Sequence, residues 1–382
     1  MLYTYSFQNK KRDLSDILST VVKDEPRFIS NFRSVEEAQQ QKHEWLEDQI
    51  AGRSVTATAV ASGVVTASAA DAAKVRIGTL LVIRNDSALF RVTAVTDTTF
   101  TVALVAANGS AKSTPAKDDV LNIVSTPVAE GSNPGDGDET GITGGVNYNC
   151  CQIFRKDIIL SGSALAINVF GNADNQLNRQ TAFALGELAR DLNRVALFGR
   201  RVEATASARG EAGGLYFFGT QAGGLAIDGS SARLDSATIN DAAQAVMGAG
   251  GDPTQILCSP GQARVLSNEY KNRLQIVRSD DRRGAYVALV VNEINGRGMT
   301  IMADPDMPDT DAWVIDPAGF GMSSLKGRSI TDTDATPKGF DGIKRMALGE
   351  LTFVFRNAAQ RLCRIKNLKS SAAALAELKA AE

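Results

Sequence analysis

The chain has 382 residues, 43% of them hydrophobic and 22% charged, with a net charge of −2. That is room for two or three domains with a sizeable core, and the balance excludes a disordered chain and the basic face of a sequence-reading DNA-binding protein. His43 is the single histidine, and Cys150, Cys151, Cys258 and Cys363 show no Cys-x-x-Cys spacing, so triad catalysis and structural zinc have almost nowhere to sit. No run reaches the ~20 apolar residues of a membrane span. The opening MLYTYSFQNKKRD has no apolar core of a signal peptide. A soluble chain in a reducing cytoplasm is expected, with no cofactor, no metal and no membrane contact.

Residues 1–35 read as an arm. Lys10, Lys11 and Arg12 form a basic run, and Leu14, Ile17, Leu18 and Val21 then recur at helical spacing until Pro26. Phe28, Ile29 and Phe32 follow and need cover. The stretch QQQKHEWLEDQI (39–50) looks extended. Trp45 stands among Glu44, Glu47 and Asp48, the pattern of an edge strand that meets a partner surface. His43 in the same strand has no chemical partner beside it and reads as structural.

Over 53–127 charge thins and short β-prone runs alternate with turn signals at Asn85–Asp86 and Asp97–Thr98. A small all-β barrel or sandwich inserted into the chain is expected. The acidic, glycine-rich stretch after it carries Asp136 and Asp138, but not at the spacing of a calcium loop. NYNCCQIFRKDIIL (147–160) returns as a strand.

The longest helical pattern is 175–203. Leu177, Thr181, Ala184, Leu185, Leu188, Leu192 and Val195 form one stripe, roughly 40 Å of helix at 1.5 Å per residue. Gly186, a costly residue mid-helix, predicts a close backbone approach there, and Gly199 predicts fraying near the end. The Gly-rich stretch from 204 has no phosphate-binding spacing. A helix over 237–248, a strand QILCSP, a helix opening at Pro260 and the run YVALVVNEI predict an α+β domain. Asp304, Asp306, Asp309, Asp311 and Asp316 are interleaved with Pro305, Pro308 and Pro317, and read as a rigid loop rather than a metal site. Leu351, Phe353 and Phe355 alternate with Thr352 and Val354 as a strand. The segment after it, 356–369, is rich in Arg and Lys. The tail 370–382 reads as a flexible end or a loose helix.

This order, carried by DLSDILSTVVKDEPRFISNF, HEWLEDQI, NYNCCQIFRKDIILSG, NRQTAFALGELARDLNRVALFG, ILCSPGQARVLS, DAWVIDPAGFGMSSLKG and GELTFVFRNAAQRLCRIKNL, resembles the major capsid proteins of tailed bacteriophages. The resemblance covers most of the chain except the insertion. It implies an α+β fold with an N-terminal arm (1–35), extended-loop limbs (36–52 and 128–150) and an all-β insertion domain (53–127). It further implies a peripheral domain (151–215 and 330–369) with a spine helix (175–203), an axial domain (216–329) and a tail (370–382).

The function implied is a head protein, not an enzyme, that self-assembles into hexamers and pentamers of an icosahedral shell around double-stranded DNA. It would assemble in the host cytoplasm and reside in the virion. Scaffolding, portal and decoration proteins are expected partners. Phe28, Phe32, Glu44, Trp45 and Asp48 are expected at subunit interfaces, and Lys10, Lys11 and Arg12 on the inner surface against DNA. The other readings are a different phage structural role, such as a tail-tube, baseplate or decoration protein, and a nanocompartment shell.

Overall fold

The computed structural model describes residues 26–48, 52–84, 86–107, 112–128, 130–131, 145–167, 176–221, 224–269 and 289–381. The expected arm helix over Leu14–Val21, the basic run Lys10–Arg12 and the carboxylates Asp136 and Asp138 lie outside them. The chain divides into two compact units, one of residues 1–45 and 146–382, the other of residues 46–145.

In the first unit the helix Gln176–Phe198 runs 23 residues, about 35 Å. It ends earlier than its periodicity predicts. Gly199 N donates to Val195 O and Gly199 O accepts from Gly214 N, and a Cβ on Gly199 would strike the carbonyls of Val195 and Ala212. That glycine is the close approach. At Gly186 an added Cβ meets nothing within 4 Å, so the expectation of crowding there fails. Ala184, Leu188, Leu192 and Ala196 are buried at four-residue steps, joined by Asn193 and Leu197. Leu185, expected on the same stripe, is 41% exposed.

The helix packs on a sheet built around the long strand Gly342–Phe355. Gln152–Ser161 pairs antiparallel with it from Gln152↔Leu351 to Ser161↔Gly342. Phe320–Ser324 and Thr331–Asp334 pair along its other edge. Arg33–Ser34 adds a short parallel strand at Gly321 and Met322. Phe154, Leu188, Leu192, Phe218, Phe353 and Phe355 share one core. Thr352 and Val354, on the opposite face of the strand, are buried as well, and Val35 of the arm segment lies over Gly321 beside Val354.

A six-stranded mixed sheet forms the other half of this unit. Its order is Leu225–Asp228, Leu362–Lys366, Ala312–Ile315, Gln255–Cys258, Gly298–Ala303, Leu289–Val291. The helices Ser236–Gly248 and Pro260–Glu269 follow the sequence expectation closely. Asp235 caps the first by accepting from Thr238 N at 2.9 Å, and Pro260 opens the second.

Sheet membership cuts across the contiguous blocks expected from sequence. Leu362–Lys366, expected in the peripheral domain, sits inside the six-stranded sheet, and Phe320–Ser324, expected in the axial domain, pairs with the long strand. The chain crosses between sheets at buried strands, where no composition change marks the crossing. The tail is not loose. Ser371–Ala381 is a helix with Ala374 fully buried, and Asp309 accepts from Ser371 N at its start, the donor a helix start leaves unpaired.

The second unit is a seven-stranded antiparallel sheet ordered Ser54–Thr56, Val120–Ser125, Leu80–Ile83, Leu89–Val95, Thr99–Ala106, Val64–Thr66, Ala59–Ala61. Ala57 N donates to Asp119 O and Thr58 N to Thr66 O. Consecutive residues therefore bond to opposite edges of the sheet, which curls it into a barrel. Alternate residues Val55, Leu81, Ile83, Phe90, Val92, Phe100 and Leu121 fill its interior. Asp97–Thr98 makes the expected two-residue turn, closed by Thr96 N donating to Thr99 O at 2.7 Å.

Candidate assembly interface

The arm is fastened to the body by one buried carboxylate. Asp304, fully buried, accepts from Phe28 N at 3.0 Å, Arg27 N at 3.3 Å and Asn193 Nδ2 at 3.1 Å through one oxygen. Its other oxygen accepts from Asp306 N at 2.9 Å. Asn193 in turn accepts from Ile29 N at 3.1 Å. The turn Phe28–Asn31 thus receives the acceptors its backbone needs from the spine helix and from the loop after Ala303. Phe28 is buried and packs edge-on against Phe32 and Phe320, and Phe32 stacks on Phe320 at 5.4 Å. Phe28 is no open surface for a second copy, which corrects the expectation for that residue, because the body of the same subunit supplies the cover. Phe32 is half-buried.

Trp45 is corrected in the same way. Lys42–Glu47 pairs with Gly145–Cys150 as a two-stranded ladder. Strand alternation turns Glu44 and Leu46 outward and Trp45 inward. The indole is 7% exposed and lies 6.0 Å from the ring of Phe218. His43 is half-buried, and burial with the nearby Arg356 charge lowers its pKa. Glu44 is exposed and ion-paired to Lys42 at 2.8 Å, and Asp48 is exposed. The ladder is anchored at its base. Tyr148 takes Lys42 at 4.1 Å and Arg201 at 3.7 Å over its ring, and Asn149 Nδ2 donates to Gly213 O and Phe353 O. Cys150 and Cys151 are both buried, and burial pushes the Cys151 thiol up to about 12.

The aspartates of the 304–316 loop serve structural bonds, with Asp304 and Asp306 sharing the amide of Asn193. Asp306 pairs with Arg194 at 2.9 Å, Asp311 with Arg364 at 2.6 Å and Asp316 with Arg361 at 2.8 Å. Asp309 accepts from Ser259 Oγ at 2.7 Å. Among the described residues no three His, Cys, Asp or Glu side chains converge on a metal position. Of the basic segment after Phe355, these pairs take up Arg361 and Arg364.

Sequence reasoning missed Asn193 and Asp304. The only signal was a polar side chain on the buried side of a helix. Outward-facing apolar side chains remain on the ladder and its neighbouring strand: Leu46 at 73%, Val146 at 62%, Ile153 at 55% and Ile159 at 59% exposed. A groove of about 750 Å³ is lined by Gln41, Ile153, Phe198, Arg209 and Glu211.

The family model described as SU10 major capsid protein matches residues 2–369. The chain belongs to this family. No curated protein matches the sequence. Solved structures share the fold at low identity. The capsid asymmetric unit of cyanophage A-1(L) has a TM-score of 0.58 at 12% identity, covering 97% of this chain and 100% of that one. Microbacterium phage Oxtober96 gives 0.51 at 11%, covering 94% and 95%. Gordonia phage Cozz gives 0.51 at 10%, covering 95% and 92%. The molecule is a phage major capsid protein, a structural component of the virion that self-assembles into a shell.

Proposed function

We propose that this capsid protein forms hexamers and pentamers that close an icosahedral shell around double-stranded DNA, assembled in the host cytoplasm. The observation that carries the reading is the two-stranded ladder. It presents Leu46 and Val146 outward with no core of its own. Exposed apolar side chains on the ladder cost free energy in a monomer, and rings of identical copies give each one the same cover.

With Phe28 and Trp45 turned inward, Glu44, Asp48 and the exposed apolar residues of the ladder take the interface role. The protein acts by assembly rather than catalysis. Lys10, Lys11 and Arg12 contact DNA non-specifically from the inner surface, and such contact weakens steeply with salt. Scaffolding, portal and decoration proteins complete the particle.

Electron microscopy and size-exclusion chromatography of the purified protein test this reading. Capsomers or closed shells are expected. A monomer at every salt and pH tried overturns it, and open tubes or stacked rings alone favour a tail-type role. Nuclease-protected double-stranded DNA in particles from infected cells is the expected content.

A further inference from the structure

One face of the spine helix is covered over only half its length. Gly186 and Asn193 are seven residues apart, close to two full turns, and so lie on the same face. Asn193 and Leu197 at the C-terminal end of this face are buried, with Asn193 holding the turn Phe28–Asn31. Two turns before Asn193 Gly186 is exposed, about three turns before it Ala182 and Phe183 are exposed, and Leu185 beside them is 41% exposed. Arg179 and Arg190 border this open stretch, and the Arg179 guanidinium lies 5.4 Å from the Phe183 ring. A helix that presents an apolar surface in line with a docked segment of its own chain has an obvious claimant.

We propose that residues 14–21 of the same polypeptide dock on this stretch of the spine helix, extending the contact that Phe28–Asn31 begins. Three observations support the assignment. The described chain starts at Pro26, three residues before Ile29, whose N–H donates to Asn193, and the open stretch begins about 10 Å from Asn193 along the helix axis. The five residues from Val21 to Pro26 reach up to about 16 Å, enough to bridge that gap. Leu14, Ile17, Leu18 and Val21 have the spacing of one helical stripe, and one such stripe is about as long as the stretch Ala182–Ala189. Asp13 and Asp16 meet the Arg179 and Arg190 borders with opposite charge. The inference concerns the subunit itself and does not depend on hexamers, pentamers or DNA.

The test places the photoreactive residue p-benzoylphenylalanine at position 183 of the full-length protein. Phe183 is 39% exposed, so its ring has room for the added group. After irradiation, a monomer-sized band should contain a crosslink to the tryptic peptide Asp13–Lys23. Leu18→Asp in the same background should lower the yield roughly tenfold or more, the scale set by burying one leucine. Capture of another peptide, capture of Asp13–Lys23 only in dimer-sized bands, or no crosslink overturns the proposal. Electron microscopy of the same samples reports shell formation separately, so a failed shell reading and a failed docking are distinguishable.

Discussion

The barrel of residues 46–145 and the body around the spine helix hold themselves together by different means. The barrel relies on alternation. Small and β-branched residues point inward along seven strands, and Phe90 and Phe100 are its only fully buried aromatic rings. The body relies on side chains that tie distant segments: Asp304 to the arm, Asp311 to Arg364, Asp316 to Arg361 and Asp309 to the C-terminal helix. Near-neighbour pairing can survive transfer into another chain, because each strand needs only the strand beside it. The body's ties span from 45 positions, Asp316 to Arg361, to 276, Asp304 to Phe28, so they form only when the whole unit folds.

The largest expected effects separate the two units. Phe90→Ala should cost the barrel about 3–5 kcal/mol and leave the body's unfolding transition in place. Phe355→Ala should do the reverse. Calorimetry or urea unfolding followed by hydrogen exchange reads both. A single transition lowered equally by either substitution would show that the units fold as one.

Trp45→Ala carries the same order of loss and sharpens the comparison at the ladder. The indole sits on Phe218 in the body's core, so the isolated subunit should lose about 3–5 kcal/mol. An interface tryptophan would leave subunit stability unchanged and alter assembly alone.

Asp304→Ala tests the body's ties directly. It strands Phe28 N and Asp306 N without their acceptor, while Asn193 Nδ2 keeps its bond to Asp306. Unsatisfied buried donors cost about 1–3 kcal/mol each, so a loss near 3 kcal/mol is expected, with proteolysis at the arm rising as Phe28 comes free. Asp304→Asn keeps one oxygen acceptor and should lose less. Gly186→Ala moves the other way. The site is mid-helix with nothing within 4 Å of an added Cβ, and alanine should gain up to about 1 kcal/mol.

Much of this architecture was readable from the sequence. The spine helix and the barrel announce themselves through periods of 3.6 and 2, which depend only on neighbours along the chain. The charged neighbours of Trp45 do not describe its own surroundings, because in a strand the residues on either side face the opposite way. Gly186 and Gly199 are indistinguishable by composition, and only the approach of Ala212 O marks the second as the crowded one. Asp304 stands in a run of aspartates that differ by what lies opposite them, and those partners come from the arm, the spine helix and the closing strands. The residues at 1–25, which include Lys10, Lys11 and Arg12, lie outside the described structure.

The smallest effect expected concerns pH and the base of the ladder. His43 titrates below its ordinary value of 6.5 because burial penalises the imidazolium and Arg356 repels it. The unfolded chain therefore binds the proton first as pH falls. The contribution of neutral His43 is complete above pH 6.5 and is lost as pH drops from there through the lowered folded value. The wild-type protein should therefore weaken over that interval relative to His43→Gln. Urea midpoints of the two proteins at pH 7.5 and pH 5.5 measure it. If the gap between them is the same at both pH values, His43 gains its proton in the folded subunit as easily as in the unfolded chain, and the ladder's base is wetter than its packing on Trp45 implies.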